Sequence, residues 1–310
     1  MKQKYQELNI NRDFSDILST YLNFIKWNIV GFTKGYLKNA GLLIITLILA
    51  SYFITTGVME LIAIESSSNF GTNSSDSYLF SIGIGGLLFF IIIISMGIYN
   101  YGLSSLYLIK YDTNKDGEIN FREVITFLKP EFGKLFLFLL TLIPLMLIGG
   151  FISVAVSFIP LFGIFVNYFI QFLMTAWFGI SVYALLKEDL GIFKALGKGW
   201  KLVTGQFWKC IGINAVIGFI TGVLLIAAMI IPGILLGVYT YHVVESEIVY
   251  STSIIARIVY SFGVVLFVLM AVFTQCLGQF ANGMLYHTLT EAKENNYTRA
   301  KIDQIGTFRD

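Results

Sequence analysis

Between Leu135 and Leu186 there is not one acidic or basic side chain. A soluble fold cannot bury a run of that length and still present a charged surface, so the segment belongs in hydrocarbon. A crossing helix needs about 20 predominantly apolar residues, at 1.5 Å rise each, to traverse roughly 30 Å. The run is too long for one crossing and sufficient for two, with Pro160 and Gly163 supplying the break. Leu42 to Ala63 is a further span, interrupted only by Glu60 near its end. Tyr78 to Ile109 has no acid or base, and its surplus length predicts tilt or extension past the headgroups. Cys210 to Tyr241, whose most apolar part ends at Pro232-Gly233, and Ile258 to Thr290 complete the set. The pattern predicts an all-α polytopic integral membrane protein with six transmembrane helices. A composition of 56% apolar and 13% charged residues agrees.

All but one of the 21 lysines and arginines fall in four stretches between these runs. Lys2, Lys4, Arg12, Lys26, Lys34 and Lys38 precede the first span; Lys110, Lys115, Arg122, Lys129 and Lys134 lie between spans two and three. Lys187, Lys194, Lys198, Lys201 and Lys209 lie between spans four and five, and Lys293, Arg299, Lys301 and Arg309 follow the last. Basic residues near span ends favour the cytoplasmic side, which places all four stretches and both termini there. The remaining connections have no lysine, and Arg257 is the one base near them. The first forty residues are mixed and polar, so no cleavable signal peptide is expected and the first span serves as the insertion signal.

Each pair of spans follows an amphipathic stretch. Phe14, Ile17, Leu18, Tyr21 and Ile25 make the first stripe, and Phe121, Val124, Ile125 and Leu128 make the second, which Pro130 is expected to stop. In the third, Leu190, Phe193, Leu196, Trp200, Val203 and Phe207 recur at three or four residues, with Lys194, Lys198 and Lys201 on the opposite face. The unit is a cytoplasmic interfacial helix followed by a transmembrane hairpin, used three times. As a single membrane domain, 1–310 divides into an amphipathic N-terminal segment (1–40), a first hairpin (42–109), a loop with amphipathic helix (112–130), a second hairpin (135–186), an amphipathic helix (188–207), a third hairpin (210–290) and a cytoplasmic tail (291–310).

The sequence Asp112-Thr113-Asn114-Lys115-Asp116-Gly117-Glu118-Ile119-Asn120-Phe121-Arg122-Glu123 places an oxygen at each position that a twelve-residue calcium loop uses. Asp112, Asn114 and Asp116 stand at one, three and five. Gly117 permits the sharp turn at six, the backbone carbonyl of Glu118 serves at seven, Asn120 acts through water at nine, and Glu123 closes the shell at twelve. These twelve residues resemble EF-hand calcium-binding loops. The resemblance implies a Ca²⁺ site with Asp112, Asn114, Asp116, Glu118 and Glu123 as metal ligands. The alternative for the same residues is a solvated turn between helices.

A reaction is harder to find. HExxH, GxSxG and phosphate-binding glycine loops are absent from the sequence, and His242 and His287 are the two histidines, placed by topology on opposite sides of the membrane. His242, Glu245 and Glu247 form an exposed polar stretch rather than a metal site, Cys210 and Cys276 read as buried thiols, and no enzyme is expected. Asn100, Asn167, Gln171, Asn214, Gln275, Gln279 and Asn282 lie inside spans, where they bond between helices or line a path for a small or lipid-like solute. Glu60 and Arg257 are placed to pair across spans one and six. The surface helix Ala195 to Trp208, followed by a glycine-rich hairpin, resembles the membrane domain attached to glycerophosphoryl diester phosphodiesterases and its uncharacterised bacterial relatives. That resemblance implies a bacterial inner-membrane protein without catalytic residues. The expected partners are the lipid bilayer and a calcium ion, with no nucleic acid and with homo-oligomer or other membrane partners open. The expected role is structural or regulatory, and the alternative is a transporter or channel.

Overall fold

The computed structural model describes residues 5–66, 75–115, 119–159, 162–245, 254–295 and 302. Its elements are helical, with no strand among the described residues. In order they are α1 (Phe14–Asn39), α2 (Gly41–Ser66), α3 (Ser75–Asn114), α4 (Phe121–Ser157), α5 (Phe162–Lys187), α6 (Ile192–Gly205), α7 (Phe207–Glu245) and α8 (Ile254–Glu294). Six of these, α2, α3, α4, α5, α7 and α8, are long and apolar enough to cross a membrane. This is a membrane-spanning helical protein. Apolar side chains such as Phe90, Phe151 and Phe165 lie exposed along the spans, as helices solvated by lipid require.

The helices run past the hydrophobic cores that specify them. α3 has 40 residues, a length of about 60 Å at 1.5 Å per residue, against roughly 40–45 Å for a bilayer with its headgroups. Its last turns therefore stand clear of the hydrocarbon and carry Asp112. Pro130, expected to end the second surface helix, lies inside α4 instead, and the amphipathic stretch and span three form one continuous helix. Pro130 and Thr126 are both exposed. The Thr126 carbonyl, which loses its N–H partner to the proline ring, remains open to water or headgroups there, so the helix tolerates the break. Pro232 is likewise inside α7. Among the described residues a separate helix precedes α2 (α1) and α7 (α6), and none precedes α4.

The chain forms two compact units, and α1, α3, α7 and α8 contribute to both. In the unit of 1–33, 98–220 and 275–310, an aromatic core holds α1 to α3 and α8. Phe24 meets Tyr111 at 5.0 Å and Phe280 at 5.2 Å, while Phe32 meets Tyr107 at 5.2 Å and Phe280 at 5.0 Å, all edge to face. The buried stripe of α1 in this unit is Ile17, Tyr21, Phe24, Asn28 and Phe32. The Asn28 Oδ1 accepts from Tyr107 Oη at 3.3 Å. In the unit of 34–97 and 221–274, Glu60 on α2 pairs with Arg257 on α8 at 3.6 Å, as the sequence suggested, and Thr240 bonds to Tyr260.

On α6 the expected stripe splits. Leu196 and Val203 are buried with Ala195, Gly199 and Leu202, whereas Phe193 and Trp200 are exposed beside Lys194 and Lys201. The buried face is narrower because α6 lies on α5, where small residues allow close approach.

Candidate functional site

Asp112 stands in the last turn of α3 with its carboxylate turned into the protein. A negative charge at a helix C-terminus faces the exposed carbonyls of its own last turn, an arrangement that needs donors from elsewhere. Two other elements of the same unit, α5 and the segment before α1, supply them. Lys187, the final residue of α5, donates from Nζ to Oδ2 at 3.0 Å. Tyr5 Oη donates to Oδ1 at 3.2 Å and Asn9 Nδ2 approaches the same oxygen at 3.4 Å. Burial, then the charge of Asp112, raise the Tyr5 phenol above its ordinary value, which keeps it a donor.

His287 on α8 completes the cluster and is fully buried, with Nε2 3.9 Å from Asp112 Oδ2. Its Nδ1 lies 2.5 Å from Asn9 Oδ1, which can only accept, so Nδ1 carries the proton. Nε2 is then the acceptor for Tyr183 Oη at 2.7 Å and for Lys187 Nζ at 3.3 Å. The segment before α1 is fastened at further points. The Gln6 amide donates to Tyr111 Oη at 2.8 Å, Leu8 is buried, and Lys209 of α7 donates to the Arg12 carbonyl at 3.0 Å. Residues 5–12 are thereby strapped over the ends of α3, α5 and α8. A neighbouring cluster binds α8 to the α5–α6 connection: Tyr286 and Lys198 both donate to Glu188, and the Tyr183 and Tyr286 rings pack at 5.0 Å.

No protein-family model, curated protein or solved structure matches this chain. The functional reading therefore rests on the residues themselves.

Of the loop positions, Asp112 is committed to the strap, and Asn114 is exposed as the last residue of α3. Lys115, with φ of 41°, takes the left-handed conformation that ends α3. Asp116 and Glu118 lie outside the described residues. Asn120 is the N-cap of α4, accepting from the Arg122 amide at 3.1 Å, and its Nδ2 donates to Glu123 Oε1 at 3.1 Å. Glu123 stands in the first turn of α4, where a carboxylate complements the helix dipole. The structure brings together Asn120 and Glu123, and separately Asp112 with Lys187. Among the described residues there is no group of three or more His, Cys, Asp or Glu side chains placed to hold a metal ion. The side chains of His242, Glu245 and Glu247 also lie outside the described residues.

Asn100, Asn167, Asn214, Gln275, Gln279 and Asn282 bond between helices. Asn100 donates to Gln275 at 3.2 Å, and Gln279 donates to Ser105 Oγ at 2.8 Å and to the Gly179 carbonyl at 3.0 Å. Asn214 donates to Asn282 Oδ1 at 3.1 Å, and Asn282 to the Thr175 carbonyl at 3.3 Å. These bonds tie α8 to α3, α5 and α7. Asn167 bonds to Ser157 across the α4–α5 turn. Cys210 and Cys276 are buried thiols.

Proposed function

We propose that this chain is a non-enzymatic, structural or regulatory protein of a bacterial inner membrane, with both termini cytoplasmic, that responds to calcium at residues 112–123. One observation carries the reading: Asp112, the first ligand position of the loop, is also the carboxylate to which the N-terminal segment and α5 are fastened. A calcium ion needs the charge of that carboxylate, and so does Lys187. The ion and the strap are therefore alternatives for one side chain. Asn114, Asp116, the Glu118 carbonyl and Glu123 complete the ligand set, with Glu123 exchanging Asn120 for the ion. The distribution of lysine and arginine supports the cytoplasmic placement of this end.

Calorimetry of the purified full chain with calcium tests the reading, with magnesium as control and Asp116→Ala and Glu123→Gln beside the wild type. Glu123 is in the first turn of α4 and bonds to Asn120 rather than to the strap, so its loss reports on the loop. Saturable calcium heat, abolished in both variants, is expected. Absence of heat in the wild type, or heat unchanged in both variants, rejects calcium.

A further inference from the structure

The exposed face of α6 is built in two rows. Phe193 and Trp200 are seven residues apart and lie nearly above one another, as do Lys194 and Lys201 about 100° round the helix. Phe193 is 80% exposed and Trp200 42%, and Trp208, in the first turn of α7, is 75% exposed. From Gly191 to Lys209 there are four lysines and no acid. Two of the four are occupied, since Lys198 pairs with Glu188 and Lys209 donates to the Arg12 carbonyl. Lys194 and Lys201 are exposed, with no hydrogen-bond or ion-pair partner among the described residues.

The opposite face fixes the helix. Leu196, Leu202 and Val203 are buried, and Trp177 of α5 donates from Nε1 to the Leu196 carbonyl at 2.9 Å while its ring packs on Trp200 at 4.8 Å. Residues 188–191 join α6 to the end of the spanning helix α5, and Gln206 alone joins it to the start of the spanning helix α7. With about 3.5 Å per extended residue, α6 cannot leave the level at which those spans emerge. What covers its outer face is the leaflet itself.

We propose that this face binds anionic phospholipid headgroups. Phe193, Trp200 and Trp208 enter the acyl boundary, and Lys194 and Lys201 meet the lipid phosphates, the neighbouring acids being paired already, Glu188 and Glu294 with Lys198 and Asp189 with Lys134. Aromatic rings favour that interfacial depth, and each lysine near an anionic surface enriches acidic lipid about fivefold. The inference is independent of calcium at the Asp112 loop.

The full chain is reconstituted into nanodiscs of phosphatidylcholine with a trace of brominated phosphatidylglycerol or of brominated phosphatidylcholine of the same acyl chains. Bromine quenches tryptophan only at short range, so greater quenching by the phosphatidylglycerol is expected. The Lys194→Gln/Lys201→Gln pair should lower that preference on the order of tenfold, whereas Lys129→Gln, on exposed α4, leaves it unchanged. Equal quenching by the two lipids in the wild type overturns the proposal without recourse to any variant. So does a preference that survives the double substitution or falls equally with Lys129→Gln.

Discussion

Lys187 Nζ lies 3.0 Å from Asp112 Oδ2, with the two side chains 25% and 12% exposed. The contact joins the last turn of α5 to the last turn of α3. Lysine at a helix C-terminus complements the dipole, and aspartate opposes it, so the pair is asymmetric: Asp112 depends on Lys187 more than the reverse. Lys187→Met should lower stability by about 2–3 kcal/mol, because it leaves a largely buried carboxylate without its main charged donor. Asp112→Leu combined with Lys187→Met should recover most of that loss, since neither charge is then stranded. Thermal unfolding in detergent, run as a double-mutant cycle, measures the coupling. A neutral Lys187→Met would show that the contact contributes nothing.

At Gly179 on α5, α8 comes close to that helix. A Cβ there would strike the side chains of Asn282 and Gln279, which bond to the Thr175 and Gly179 carbonyls. Gly179→Leu should therefore push α8 away and cost about 1–3 kcal/mol, detected as a lower unfolding temperature. Gly197→Leu on the open face of α6, where nothing lies within 4 Å, should cost less. Equal effects would contradict the close approach.

The spans were legible because lipid imposes length and an absence of charge on contiguous residues. The run Leu42 to Ala63 falls inside α2, Tyr78 to Ile109 inside α3, and the predicted break near Pro160 falls between Ser157 and Phe162. Glu60 and Arg257 were legible as a pair because ionisable groups near spans seek one another. Glycine spacing carries less information about close helix contact. A Cβ at Gly85 would meet Ile54, but Gly233 and Gly237 face nothing within 4 Å, because a glycine pair does not say which side of a helix has a neighbour. The strap was not legible at all. Asn9 and His287 meet across 278 positions, and no local period or spacing encodes such a contact. Asp112 itself was singled out, but as a ligand in a loop, because its helical setting depends on where Lys187 and the N-terminal segment arrive.

Asp189 offers a pH-dependent contact at the same end of the hairpin. Lys134 on α4 donates to its Oδ1 at 2.5 Å, and this hydrogen bond, then the lysine charge, hold the carboxyl below its ordinary value. A depressed folded value means that the contact is present at neutral pH and above. It is lost as pH falls through that value, when the carboxylate gains its proton. The Asp189 carboxyl resonance should titrate below about 3.9, and Lys134→Met should return it to the ordinary range. Titration at the ordinary value in the wild type would exclude the pairing.

The orientation proposed from the basic stretches can be read with cysteines. Asn114 and Thr204 are exposed at the ends of α3 and α6. In a Cys210→Ser/Cys276→Ser background, Asn114→Cys and Thr204→Cys should react with an impermeant maleimide only after the cells are opened. Reaction in intact cells at either position would invert the topology.

The dual use of Asp112 predicts a movement. If calcium recruits that carboxylate, Tyr5 and Asn9 lose their shared acceptor and Lys187 loses its counter-charge in the same step. Residues 5–12 still keep the Gln6–Tyr111 bond, the Tyr5–Tyr111 ring contact, the Asn9–His287 contact, the Lys209 contact to Arg12 and the burial of Leu8. Amide exchange in this segment should therefore quicken on adding calcium, because local opening costs less once the strap has lost its shared carboxylate acceptor. Asp116→Ala should suppress the calcium effect without altering exchange in its absence. Asp112→Asn should quicken exchange with or without the ion, since an amide neither attracts Lys187 as a charge nor ligates calcium as well. A protein that binds calcium at this loop yet exchanges residues 5–12 at one rate throughout would separate the ion from the strap.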